Sequence, residues 1–276
     1  MDCTDYTVSR EVFSLKQCAV CQFAFTEPKP DEGSIGKYYL SENYISHTGG
    51  NKNLFDKVYL ALRNFTLKWK RKVVLRNSTG KLLLDIGCGT GEFIKEMKAN
   101  GWDTTGVEPS ALARTAAEKK TGINIKESYF ELEDNIYDVI TLWHVLEHLY
   151  DLADALKKFH NLLKKSGTIF IAVPNFQSYD ALHYNSYWAG YDVPRHPWHF
   201  RKDNMKMLLE KNGFRIVKIL PMHLDSFYVS LLSESYKNPN QWKFINLIKA
   251  TAIGLKSNFK ARNSLNYSSL IYIAKR

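Results

Sequence analysis

The stretch LLLDIGCGTGEF (residues 82–93) closes an apolar run on Asp85 and follows it with Gly87, Gly89 and Gly91. Glycines so placed let a backbone curl tightly and approach a ligand without a Cβ in the way. A triphosphate-holding turn needs Gly-Lys-Ser/Thr at its end, but Glu92 follows Gly91 here, so that reading fails. The dinucleotide fingerprint G-x-G-x-x-G needs a glycine where Glu92 stands. A carboxylate there also sits badly against a pyrophosphate at a helix N-terminus. What remains is a ligand without phosphate at the turn, with Asp85 beside a cationic part of it. Glu108 ends the next apolar stretch, WDTTGVEPS (102–110), and is placed to accept hydrogen bonds from two ribose hydroxyls.

Two histidine clusters could also do chemistry. HVLEH (144–148) matches the H-x-x-E-H pattern of inverted zinc proteases. It begins directly at the end of a strand, inside an otherwise complete cofactor-binding order, so Glu147 and His148 are expected to tie the segment to its surroundings. DVPRHPWHF (192–200) carries Arg195, His196 and His199. It fits either a proline-braced turn whose histidines satisfy backbone groups, or a substrate site on a loop held by a rigid scaffold. CAVC (18–21) has the spacing of one zinc knuckle, but a structural zinc needs four ligands and Cys3 is too solitary to help. No metal is expected.

LLLDIGCGTGEF, GVEPS (106–110) and YDVITLWHVLEHL (137–149) together resemble the successive motifs of class I S-adenosylmethionine-dependent methyltransferases, most closely over residues 80–175. The resemblance implies S-adenosylmethionine as cofactor. Its methionine end would lie on Gly87, Cys88, Gly89 and Gly91 beside Asp85, and its ribose on Glu108 with Pro109 and Ser110. Ser128 and Tyr129 fall where the family lines the adenine, although the usual Asp is absent there. Trp143 and His144 would border the adenosine or the methyl group. The family also suggests that residues 1–50 are the remnant of an N-terminal zinc ribbon.

A sulfonium methyl is transferred by in-line displacement, which asks the protein chiefly for alignment. A hydroxyl or carbon acid as acceptor benefits from a base near neutral pKa, and histidine suits that task. His199 and His196 are the first candidates and His144 the next. Tyr184, Tyr187, Trp188 and Tyr191 would wall the acceptor pocket, with Arg195 at its polar end. The element Asn/Asp-Pro-Pro-aromatic of DNA amino-methyltransferases is missing after the fourth strand, and VPNF (173–176) follows the fifth instead. No Pro-Cys dipeptide offers a cytosine nucleophile. A small molecule is therefore the expected acceptor: a sugar nucleotide, a quinone precursor or another secondary metabolite. An RNA or protein methyltransferase, or a binding module without catalysis, are the alternatives.

These residues need elements to position them. Strands are expected near 81–86, 103–108, 123–126, 138–143 and 168–173, with helices between them. FRIVKIL and the terminal SSLIYIAKR would close the sheet. The pattern gives an α/β fold, a Rossmann-like doubly wound sheet of seven strands, mostly parallel with an antiparallel last strand. Residues 1–50 form an appendage, and 51–276 the main domain with insertions at 175–200 and a helical lid at 226–262. The amphipathic segment 53–75 is expected to cover the cofactor cleft with Leu54, Val58, Leu62, Phe65 and Trp69.

Lysine and arginine exceed aspartate and glutamate by 38 to 28, a net charge of +10. The charges are spread along the chain, so nucleic acid is not an expected partner. No apolar run approaches the ~20 residues of a membrane helix. No signal-peptide core is visible in MDCTDYTVSR, which makes the cytoplasm the expected compartment.

Overall fold

The computed structural model describes residues 1–31, 33–39 and 54–276, and of residues 54–61 the backbone alone. Strands β1 (Asp2–Thr4) and β2 (Val12–Gln17) form a hairpin, and β3 (Ala24–Glu27) pairs antiparallel with β2. Asp5 shapes the first turn, its carboxylate accepting from the backbone N–H groups of Thr7, Val8 and Ser9. This satisfies three donors that the turn would otherwise leave unpaired.

Helix α1 (Leu54–Asn77) follows. Leu54 and Val58 of the expected stripe lie outside the described side chains. Leu62 and Phe65 are exposed, which corrects that stripe. Among its described side chains the helix packs through Leu67, Trp69, Val73 and Val74.

The chain then alternates strand and helix: β4 (Leu82–Ile86), α2 (Glu92–Lys98), β5 (Asp103–Val107) and α3 (Ala111–Thr121). Next come β6 (Tyr137–Trp143), α4 (Leu152–Leu162), β7 (Leu163–Pro174) and α5 (Tyr179–Tyr184). A two-residue strand β8 (Trp198–His199) precedes α6 (Lys202–Lys211) and β9 (Arg215–Pro221). Helices α7 (Asp225–Lys237) and α8 (Lys243–Ser264) lead into β10 (Ser269–Lys275).

The main sheet has the order β5-β4-β6-β7-β10-β9. It is parallel from β5 to β7, and β10 runs antiparallel to both its neighbours. The mostly parallel α/β sheet is as expected, with six paired strands where seven were foreseen. Residues 123–126 contribute one bridge, Lys126 to Val107. Lys126 exchanges both bonds with β5, through Gly106 O and Glu108 N, while the Ile125 N–H donates to the Glu118 carboxylate.

Side chains along β4 and β6 alternate between the faces of the sheet, and both faces are covered. Leu84, Ile140 and Leu142 join α4 and α6 on one side. Leu83, Val139 and Phe170 join α1 and α2 on the other. Each such fully buried side chain contributes roughly 1.5–3 kcal/mol, so the strand ends that carry the site are rigidly placed.

Two features depart from a simple appendage and lid. The N-terminal strands do not stand apart: β3 pairs with β8, matching Ala24 to His199 and Phe25 to Trp198. A four-stranded sheet thus joins the N-terminus to the aromatic loop. Helices α7 and α8 meet through small residues, and a Cβ on Gly254 would come within 2.7 Å of Phe227. Phe244, Ile248, Leu255 and Phe259 of α8 face outward. Among the described residues no helix is long and apolar enough to cross a membrane.

Candidate functional site

The turn after β4 needs glycine at three positions. Gly87, Gly89 and Gly91 all have positive φ, at 65°, 54° and 78°. A Cβ on Gly87 would lie 2.5 Å from Val145 Cγ2, and one on Gly91 2.8 Å from Thr121 Cγ2. A Cβ on Gly89 would meet nothing within 4 Å. The turn is thus wedged at both ends and open in the middle, which is the shape of a cradle. Cys88 packs under it with Ile94, Ala117 and Ile125.

Acids flank the opening. Asp85 is buried at the end of β4 and accepts a 2.6 Å hydrogen bond from Thr141 Oγ1. Burial pushes its carboxyl up to about 7, against the opposing effects of that bond and of Lys70. Glu108, just beyond β5, reaches back across the turn. Its Oε2 accepts from Gly89 N at 2.9 Å and its Oε1 from Ser110 N at 2.9 Å. Each carboxylate oxygen keeps a second lone pair for a ligand. Ser110 caps α3, and Arg114 binds the carbonyls of Glu108 and Pro109. These contacts fix the acid's position. Ser128 accepts from Phe130 N, and Tyr129 lies half-buried against Phe159 with ring centroids 4.8 Å apart.

The end of β6 supplies the other wall. Trp143 packs edge-on to Phe93, its ring 4.5 Å from Lys70 Nζ and its buried indole nitrogen without a partner. His144 adopts a left-handed conformation, φ 60°, which turns its ring out of the strand. Nδ1 lies 3.1 Å from Glu147 Oε1, and Nε2 3.0 Å from Asp225 Oδ2 at the start of α7. Burial would lower the imidazole's pKa. The hydrogen bonds and charges of Asp225 and Glu147 outweigh it and lift it to about 9. The side chain remains a third exposed. Sequence reasoning missed Asp225 and Lys70. Asp225 lies 81 residues from His144, and no local motif marks it.

The loop histidines live differently. His199 is buried in β8, and Nε2 stands 2.9 Å from Thr26 Oγ1. Since Thr26 gives its own proton to His196 O, the His199 Nε2–H must donate to it. Burial, then the charge of His196, push His199 down to about 3. His196 is buried too, with Nδ1 3.1 Å from the carbonyl of Gly190.

Arg195, expected in an acceptor pocket, is 2% exposed and makes four hydrogen bonds through all three of its guanidinium nitrogens. It binds both oxygens of Asp192, Asp5 Oδ1 and the carbonyl of Tyr38. It therefore ties the loop to the N-terminal turn rather than facing an acceptor.

The expected aromatic wall is likewise corrected in part. Tyr184, Trp188 and Tyr191 form an apolar cluster with Cys3, Phe13 and Tyr38, because the N-terminal strands cover them. Tyr184 donates to Glu234, and Trp188 to Asp180. Tyr187 stacks on Tyr6. Two small spaces adjoin this cluster. One of about 180 Å³ is lined by Glu147, Phe176, Trp188, His196, Trp198 and His199. The other, about 240 Å³, is bordered by Tyr6, Trp188, Tyr191, Arg195 and Tyr236. Tyr184 and Tyr187 line neither.

Comparison with known proteins agrees with this geometry. Residues 59–219 match the family described as a methyltransferase domain. A ubiquinone biosynthesis O-methyltransferase of Acinetobacter baylyi is 31% identical over 106 residues, covering 35% of this chain and 44% of that protein. The enzyme of the same name from Aeromonas salmonicida is 33% identical over 106 residues, with 35% and 44% covered. This chain thus spans less than half the length of these relatives. A solved SAM-dependent methyltransferase of Archaeoglobus fulgidus superposes with a TM-score of 0.54 at 25% identity, covering 78% of this chain and 94% of that one. The open cradle at Gly89 and the acid at Glu108 fit a nucleoside sulfonium. The chain belongs to the methyltransferase domain family, and it shares its fold with solved S-adenosylmethionine-dependent methyltransferases.

Proposed function

We propose that the protein methylates a hydroxyl group on a small molecule, with His144 handling the acceptor's proton. The observation that carries this reading is the place of His144. It stands directly after β6, one residue before the Val145 that abuts the glycine turn, a third exposed and bracketed by two carboxylates. The name of the O-methyltransferase relatives supports oxygen as the attacking atom. The same name favours a quinone precursor over a sugar nucleotide as the acceptor.

The cofactor supplies a methyl group on a positively charged sulfur. Asp85 would hold its ammonium group, Glu108 its ribose hydroxyls, and the backbone from Gly87 to Gly91 its methionine end. Ser128, Tyr129 and Trp143 would border the base and the adenosine. The acceptor hydroxyl would be held in line with that methyl group, and His144 would take its proton as the oxygen is methylated. For this the imidazole must first be free of its own proton, and Nε2 must exchange Asp225 for the acceptor. His199, with a pKa pushed to about 3, is a poor base at neutral pH.

The acceptor class is tested by incubating the protein with methyl-labelled cofactor and separated cell fractions. Label is expected in the low-molecular-weight fraction, with the product stable to acid as an ether. Label in RNA or protein alone would reverse the assignment.

A further inference from the structure

The HVLEH segment forms no metal-binding helix of its own. Leu146–His148 is a single 3-10 turn, and His144 points toward Asp225 instead of toward His148. Yet Glu147 and His148 meet a third group that the sequence places 48 residues later, His196. One ligand atom from each of the three lies within 4.8 Å of the others.

The hydrogen bonds around this cluster leave three lone pairs over. His148 Nδ1 is 3.0 Å from the carbonyl of Arg195, so it must carry the proton and donate; it also faces Tyr39 Oη at 3.1 Å. His196 Nδ1 faces the carbonyl of Gly190 at 3.1 Å and must donate as well. In its neutral form each ring is then the tautomer whose Nε2 is bare. The nearest charge to His196 Nε2 is Asp192 Oδ2 at 3.9 Å, too far for a hydrogen bond. Glu147 is 1% exposed; His144 occupies its Oε1, and its Oε2 is buried with no partner at all. An orphaned carboxylate oxygen in such a place costs about 1–3 kcal/mol or more unless something binds it.

We propose that Glu147, His148 and His196 form a binding site for a late first-row divalent cation such as zinc. The donor set of two neutral imidazoles and one carboxylate suits that class and not magnesium or calcium, which take oxygen. The outer contacts are those such a site requires. Each histidine gives its other N–H to a backbone carbonyl, and the carboxylate is held by a neighbour, which fixes tautomer and direction. Bound ligand atoms around zinc stand about 3.4 Å apart, so closing the site asks for shifts of about 1 Å. The neighbouring small space, lined by Glu147 and His196, has room for about one water on the ion.

The test is a Co²⁺ and Zn²⁺ titration of the full chain after chelator treatment. One ion per chain is expected. With Co²⁺ it should give visible d–d bands and no sulfur charge-transfer absorption, and with Zn²⁺ a raised Tm. Binding should survive in the Cys18→Ser/Cys21→Ser double variant, whose changes lie at an exposed turn. It should weaken by more than about tenfold in Glu147→Gln and in His196→Gln, checked for folding by their melting curves. No binding by the parent, a thiolate band, loss of the ion in the cysteine variant, or parental affinity in both folded Glu147 and His196 variants would overturn the site.

Discussion

His144 and His199 are both histidines at the carboxyl edge of an α/β sheet, yet their surroundings drive them in opposite directions. His144 is bracketed by Glu147 and Asp225 and is lifted to about 9. His199 has no carboxylate of the described residues against its ring, sits among Thr26 and Tyr191, and is pushed down to about 3. The first keeps a third of its side chain open; the second is closed in by a strand from the N-terminus. The residue type is the same, and what packs around it decides whether it can trade protons or only hold a loop.

The largest effect that would sharpen this contrast is on rate. His144→Ala should slow methyl transfer by about 10²–10⁴-fold, the usual span for a general base, with cofactor affinity nearly unchanged. His199→Gln should leave the rate of the folded protein within a few-fold of the parent, and any loss should track its melting temperature. Equal rate losses at the two positions would erase the distinction.

A loop that is architectural should show it in stability. Arg195→Ala removes the partner of Asp5, which is wholly buried, and of Asp192. Removing one member of such a buried pair costs about 3–5 kcal/mol, read as a lowered denaturation midpoint. A midpoint close to the parent's would mean that Arg195 is free for an acceptor after all.

The cofactor edge should answer in affinity. Glu108→Ala is expected to weaken S-adenosylmethionine binding by about 2–4 kcal/mol in calorimetry, through two charge-assisted hydrogen bonds. Asp85 adds a pH dependence. Burial leaves it partly protonated near 7 in the free protein, whereas a neighbouring ammonium group favours the ionised form. Affinity should therefore climb as pH rises toward 7 and flatten above it. A flat profile through that window would remove Asp85 from the binding step.

The contrast also explains which parts of the molecule could be read from the sequence. Asp85, the glycine turn and Glu108 are joined by a single strand–helix–strand unit, so their spacing along the chain carries their geometry. The sheet was legible for the same reason, except at 123–126, which contribute a single bridge to β5. The histidine loop was not. Arg195 finds its partners 157 and 190 residues away, and His199 finds Thr26 at a distance of 173. The N-terminal segment read as a vestige because CAVC drew attention to metal, while the covering work falls to its alternating apolar residues Cys3 and Phe13. Asp225 was hidden by distance, and with it the environment that sets His144 apart.

The most direct test of His144 as the proton-handling group is the pH dependence of methyl transfer, followed with labelled cofactor in the parent and in His144→Gln. A base lifted to about 9 works only once its proton has left. The parent rate should rise by about tenfold per pH unit from neutrality and level off near 9. The variant should be slow and lack that limb. A parent profile already flat at pH 7, or a variant that keeps both the parent's rate and its limb, would contradict the assignment.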